Sequence, residues 1–263
     1  MIRIKYAVRS DRGRRRRNNE DNFFCKGAML DKDSENPYKL SGKTHSPNVF
    51  AVFDGIGGEA NGELASFIAA KVLSERCSVL KKKGFDDYDR FVDEYVQETN
   101  RRIKSLSTPS SRMGTTMAML IVSDKFLKVY NIGDSRIYFL EDNRLTRVSV
   151  DHTLAAEKIS SGIATEEQIK ATNEWGKLTA CMGIECGNGL YSEPSISPEK
   201  TIDGRTRVLL CSDGVTDMLD DSCIETILCK SRDVGEAAAL LMSEALNAGG
   251  KDNVTVMLLD ISK

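Results

Sequence analysis

Four apolar runs in this chain stop at, or start from, an aspartate close to glycine. Asp54 follows VFAVF, Asp134 follows VYNIG, Asp213 follows RVLLCS, and Asp252 directly precedes NVTVMLL. The end of a strand is a rigid place to hold a side chain for chemistry, and a neighbouring glycine lets backbone and ligand approach closely. The densest example is VFAVFDGIGG, where Gly55, Gly57 and Gly58 follow Asp54. Read alone, each aspartate is more simply a turn or a helix cap. Their joint occurrence shifts the balance towards a shared site, to which Glu20 and Asp21 of NNED add two more acids. Carboxylates gathered in one place repel one another and are forced to protonate, unless a cation neutralises them. Oxygen donors without cysteine or histidine nearby favour magnesium or manganese over zinc or copper.

The rest of the chain permits such a site and argues against several other classes. With 263 residues and 40% hydrophobic content, it can bury a sizeable core. A formal charge of -2 favours neither nucleic acid nor an anionic membrane surface as a partner. The seven cysteines include no C-x-x-C pair and several lie in apolar runs, as expected for reduced core residues of a cytoplasmic protein. MIRIKYAVRSDRG alternates like a strand and lacks the apolar region of a signal peptide, and no apolar stretch reaches membrane-spanning length.

Periodicity predicts an N-terminal strand, then strands at NFFCKG and NVFAVFD with a polar loop over 31–48 between them. Helices are predicted over 61–80, with Asn61 as the candidate cap, and over 86–106. TTMAMLIVSD, FLKVYNIGD, RIYFLED and RLTRVSV read as an antiparallel meander. Short helices over 154–160 and 166–171 follow in a polar stretch, then strands at RVLLCSD and NVTVMLLDI separated by helices over 223–230 and 234–248. No repeat or linker interrupts the pattern, so a single domain of the α+β class is expected.

The ordered set SDRG…NNED, DGIGG, GTT, GDSR, SDG and DN, running from Ser10 to Asn253, resembles the metal-dependent protein phosphatases of the 2C type, most of all their bacterial stand-alone members. The resemblance implies an α-β-β-α sandwich: two antiparallel sheets face to face, with helix pairs outside. It implies that Asp54 bridges two metals beside the Gly55 carbonyl, that Asp213 and Asp252 complete the first site, and that Glu20 serves the second. Asp21 would act mostly through a metal-bound water, and Asp134 would belong to a third, weaker site. The later glycines would open room for substrate. Two ions about 3.5–4 Å apart share and activate a water for in-line attack on phosphorus, so the implied reaction is hydrolysis of phosphoserine and phosphothreonine without a phosphoenzyme.

The run Arg14 to Arg17 is, by itself, a solvated basic patch. In an extended segment Arg14 and Arg16 share one side and Arg15 and Arg17 the other, and the family pattern places Arg16 at the phosphate-binding arginine. The residues expected to carry catalysis are therefore Arg16, Asp54 and Asp213. Three positions depart from the pattern. Ile56 replaces a histidine or methionine and has no proton to donate. Ala180, in LTACMG, replaces an arginine after a flap expected over 151–175. Trp175 replaces a His-Pro pair and reads as a packing residue. His152 reads as structural. A calcium-stapled sandwich would explain the acids but not Arg16, GTT or GDSR. A catalytically weak phosphoprotein-binding member, or a regulator of one dedicated target, remains open. The implied partners are a Ser/Thr kinase and its substrates, met by a monomer.

Overall fold

The computed structural model describes all residues except 32, 58–60, 84–86, 109 and 186–190. The chain begins with β1 (Arg3–Asp11), β2 (Asp21–Cys25), β3 (Tyr38–His45) and β4 (Asn48–Gly57), followed by helices α1 (Asn61–Lys83) and α2 (Tyr88–Leu106). It continues through β5 (Met113–Thr115), β6 (Met117–Val122), β7 (Phe126–Ile132), β8 (Arg136–Glu141) and β9 (Arg144–Arg147). Helices α3 (Leu154–Ser160) and α4 (Glu166–Lys170) precede the short strands β10 (Ser195–Ile196) and β11 (Lys200–Thr201). The last elements are β12 (Arg205–Cys211), α5 (Asp213–Thr216), α6 (Asp221–Lys230), α7 (Val234–Asn247) and β13 (Val254–Ser262).

One sheet runs β3-β1-β13-β12-β8-β9 and the other β10-β7-β6-β4-β2, with β11 also on β7 and β5 on the end of β4. The apolar run at 49–53 is explained by this stacking. Phe50 and Val52 point into the space between the sheets, where they meet Ile4, Val8, Leu210 and Met257. Val49, Ala51 and Phe53 point the other way, under Leu73, Tyr95 and Ile103 of α1 and α2. Tyr138, Leu209 and Leu258 likewise lie beneath Leu228 and Leu241 of α6 and α7 on the opposite outer face. A strand covered on both faces has no polar side, so its sequence shows a continuous apolar run instead of alternation. The architecture is the expected α-β-β-α sandwich.

Four expectations need correction. The stretch 31–48 is not all loop. It contains β3, the edge strand of the first sheet, whose Lys39, Ser41 and Lys43 are exposed while Thr44 is buried. The meander is also divided, because β6 and β7 pair in one sheet and β8 and β9 in the other. Gly133, at a φ of +93°, turns the chain from one sheet to the other. Asn61 is the first residue of α1, one position inside the expected cap, whereas Asp87 caps α2 by accepting from the Arg90 N–H at 3.0 Å. Finally, Cys25, Cys77, Cys181 and Cys211 are buried and unbridged, but Cys229 is exposed on α6; Cys186 lies outside the described residues.

Candidate metal centre and active site

Strand register assembles the acids. Asp21 at the start of β2 pairs directly with Asp54 near the end of β4. Cys211, two residues before Asp213, pairs with both Arg136 and Val256. Asp11 pairs with Val254, two residues after Asp252. One end of the sandwich therefore receives Asp21, Asp54, Asp134, Asp213 and Asp252, and Glu20 precedes β2 at the same rim.

Glycine at position 55 is required by crowding. A Cβ there would lie 2.0 Å from the Gly62 carbonyl oxygen and 2.6 Å from that of Glu20. The Gly55 N–H donates to that Glu20 carbonyl at 3.1 Å, so β4, the first turn of α1 and the approach to β2 meet at one point. Gly57 does not open space for substrate as expected. A Cβ there would meet Asn61 and Gly62 at 2.9 Å, so the glycine admits α1, while Gly58 lies outside the described residues.

Hydroxyls fix the acids from behind. The Asp54 N–H donates to Thr116 Oγ1 at 2.9 Å, the Asp54 carbonyl accepts from Thr115 Oγ1 at 2.9 Å, and Thr116 Oγ1 bonds Ser135 Oγ at 2.7 Å. These contacts give GTT and the serine of GDSR their structural role. Ser212 caps α5 without a side-chain capping bond, because its hydroxyl donates to Asp21 Oδ2 at 2.7 Å. Asn253 binds the arginine loop, accepting from the Glu20 N–H at 2.7 Å and donating to the Arg12 and Asn18 carbonyls at 2.9 and 2.8 Å.

Burial and mutual repulsion raise the carboxyl pKa values. Burial, then Asp213 and Asp252, pushes Asp21 up to about 7 against the hydroxyls that lower it. Burial, Asp217 and Asp252 push Asp213 up to about 7 as well. Asp54 and Asp134 are raised well above the ordinary value, mainly by burial and next by Asp213. Glu20 is raised, again chiefly by burial. These groups sense one another, so the acids singled out in the sequence are brought into one electrostatic cluster.

Among the described residues no group of three or more acidic, histidine or cysteine side chains is already arranged to hold a metal ion. Local partners account for this. Arg16 Nη2 donates to Asp252 Oδ2 at 2.5 Å, Ser212 occupies one Asp21 oxygen, and Asp213 shares a hydrogen bond with Asp54. The donor chemistry nevertheless suits a hard divalent cation. Asp21 Oδ1 and Asp213 Oδ1 are buried without a hydrogen-bond partner among the described residues, and an unsatisfied buried carboxylate oxygen is costly. Glu20, Asp21, Asp54, Asp134, Asp213, Asp252 and the Gly55 carbonyl could supply ligands once the side chains rotate.

A cleft of about 1130 Å³ leads from Asp134 and Asp213 beneath α3 and α4. Its far wall includes Asp151, His152, Lys170 and Trp175. Arg136 fixes the start of this flap, donating from Nε and Nη2 to Asp151 at 3.0 and 2.6 Å. His152 is structural: Nδ1 accepts from the Gly133 N–H at 3.2 Å and Nε2 bonds Ser195 Oγ at 2.8 Å. Trp175 has polar neighbours instead of pure packing, with Lys170 Nζ 4.8 Å from its ring and a hydrogen bond to Asp217. Ile56 pairs with Gly114, and Ala180 packs against the core below α1 and α2.

Asp217 is the acid that the sequence reading passed over. It follows Asp213 by four residues, and its N–H donates to the Asp213 carbonyl at 2.8 Å. That i,i+4 spacing at the start of a helix puts both side chains on one face and was the available signal.

Residues 7–158 match the family described as Protein phosphatase 2C. The serine/threonine phosphatase stp of Listeria welshimeri is 30% identical over 259 residues, covering 96% of this chain and 94% of that protein. The Mycobacterium tuberculosis serine/threonine phosphatase PstP/Ppp superposes with a TM-score of 0.80 at 29% identity, covering 99% of this chain and 100% of the other. The PstP catalytic domain in complex with two manganese ions gives a TM-score of 0.80 at 29% identity, with 100% of both chains covered. Family match, shared sandwich and clustered strand-end acids agree: this chain belongs to the protein phosphatase 2C family.

Proposed function

We propose that the chain is a single phosphatase domain that hydrolyses phosphoserine and phosphothreonine in proteins with manganese or magnesium. The observation that carries this reading is the cluster of strand-end carboxylates with raised pKa values, two of whose buried oxygens lack a hydrogen-bond partner among the described residues. When bound, two divalent cations neutralise these carboxylates and lower the pKa of water towards neutrality. In this proposal Asp54, the Gly55 carbonyl, Asp213, Asp252 and Glu20 would hold the two ions. Asp21 would support them less directly, and Asp134 would help hold a further, weaker ion.

The chain's own groups supply binding and orientation. Arg16 exchanges Asp252 for two phosphate oxygens and holds the phosphoryl group in line, since a guanidinium matches a phosphate edge in two-point contact. Thr115 and Thr116 keep the Asp54 backbone from shifting. Cys25, Cys211 and His152 are unsuited to covalent catalysis. Cys25 and Cys211 are pushed up to about 12 by burial, and both nitrogens of His152 are engaged. Ile56 gives the leaving oxygen no proton.

The substrates are phosphorylated proteins, including a Ser/Thr kinase and its targets, met in trans by a monomer. The unbridged cysteines support a cytoplasmic setting, and no described helix is long and apolar enough to cross a membrane. Hydrolysis of p-nitrophenyl phosphate and a phosphothreonine peptide, with manganese, magnesium or excess EDTA, tests the reading. Turnover that requires metal supports it. A well-folded, metal-loaded protein that hydrolyses neither substrate would remove it.

A further inference from the structure

The loop between β1 and β2 carries Arg12, Arg14, Arg15, Arg16 and Arg17 without one acid between Asp11 and Glu20. Its backbone is tightly held. The Arg12 N–H donates to Asn36 Oδ1 at 2.9 Å, the Gly13 N–H to Asp11 Oδ1 at 2.7 Å, and the Arg14 N–H to the Gly250 carbonyl at 2.8 Å. Gly13 has a φ of +77°, and a Cβ there would lie 2.1 Å from the Asp252 carbonyl oxygen, so the turn presses directly on the metal-site segment. Asn253 holds the two ends of the loop together.

The side chains then divide by what they touch. Arg14 turns towards the C-terminal end of α7, with Nε donating to the Leu246 carbonyl at 2.8 Å, and Arg16 turns to Asp252 in the segment that follows that helix. Arg12, Arg15 and Arg17 are exposed, and none of the three side chains has a hydrogen-bond or ion-pair partner among the described residues. A molecule with a net charge of -2 thus presents three unneutralised guanidiniums on a fixed loop, two of which, Arg15 and Arg17, are the sequence neighbours of the arginine assigned to the phosphate. Solvation alone explains one exposed arginine. Two on a held loop, adjacent in sequence to the arginine that reaches the acid cluster, suit an anion carried by the substrate itself.

We propose that Arg15 and Arg17 dock anionic groups next to the phosphorylated residue, so that the enzyme prefers phosphopeptides with acidic or additionally phosphorylated flanks. Consecutive residues of an extended peptide advance about 3.3 Å, so the anion belongs within the first few positions from the phosphoresidue. Carboxylate and phosphate share the required chemistry. The inference rests on the phosphatase reading and specifies its substrate class.

The test compares phosphothreonine peptides with neutral, Glu-rich or second-phosphate flanks, using wild type, Arg15→Ala/Arg17→Ala and Lys43→Ala/Lys230→Ala. The last variant removes two positive charges elsewhere on the surface. Wild type is expected to show a KM roughly three- to tenfold lower for anionic flanks, the range open to exposed charge contacts, and lower still at low salt. The arginine variant should lose that preference while hydrolysing p-nitrophenyl phosphate normally, and the lysine variant should keep it. The Glu-rich and second-phosphate arms separate the two sources of anion. A preference absent from wild type, or surviving in the arginine variant, overturns the proposal. If wild type hydrolyses nothing, the phosphatase reading fails, and anisotropy with the same labelled peptides still decides whether the arginines select anionic flanks. Loss of oligonucleotide binding with unchanged peptide binding in the arginine variant would assign the patch to nucleic acid and overturn the proposal.

Discussion

Arg16 differs from its neighbours in what it touches. It reaches Asp252, whereas Arg15 carries no comparable contact. With p-nitrophenyl phosphate, which has no peptide flanks, Arg16→Ala should raise KM and lower kcat, with kcat/KM falling about a hundredfold, while Arg15→Ala should stay near wild type. Arg16→Lys should recover little, because a single ammonium does not reproduce a two-point contact. Steady-state kinetics checks this, and equal losses for Arg15→Ala and Arg16→Ala would contradict it. At this scale Asp54, Asp134, Asp213 and Asp252 were legible because each stands at a strand end close to glycine. Ser212 and Asn253 were not. Their roles depend on partners such as Asp21 and the arginine loop, which are distant in sequence and meet only through strand register.

At the scale of elements, the flap over α3 and α4 depends on a small number of anchors. Arg136 holds Asp151, which Arg147 also reaches from Nη1 at 3.1 Å. Removing Arg136 leaves a largely buried carboxylate with one exposed partner, so Arg136→Ala should cost about 3 kcal/mol and loosen the flap. Trp175 is the single tryptophan and lies in the cleft, so its emission reports on the flap directly. A red shift in Arg136→Ala with a lower melting temperature is expected; unchanged emission would show that the flap is held by other contacts. Helix-forming segments, including α3 and α4, were legible because their apolar spacing and caps are local signals. β3 was missed because an edge strand with one side in water needs few apolar residues. The crossing at Gly133 was missed because a hairpin turn and a change of sheet leave the same trace in a sequence.

For the whole molecule, gathering the carboxylates sets stability against charge. Asp21 and Asp213 ionise near 7 in the folded protein, against an ordinary 3.8 in an unfolded chain. Their folded values are raised, so their contribution is fully present below the unfolded pKa and lost as pH rises towards and through 7. EDTA-treated protein should therefore melt at a lower temperature at pH 8 than at pH 5.5, and manganese should raise the melting temperature more at pH 8. A metal-free melting temperature that holds or rises over this interval would contradict the assignment. The central claim is that the carboxylate rim holds the ions that make this sandwich a hydrolase. Its most direct test is a manganese titration of EDTA-treated protein, following calorimetric binding and phosphothreonine-peptide turnover together, for wild type and Asp213→Asn. Wild type should bind at least two ions, with turnover appearing as they saturate, and Asp213→Asn should lose both. Turnover by wild type in excess EDTA, or an Asp213→Asn variant that binds and turns over like wild type, would contradict the account.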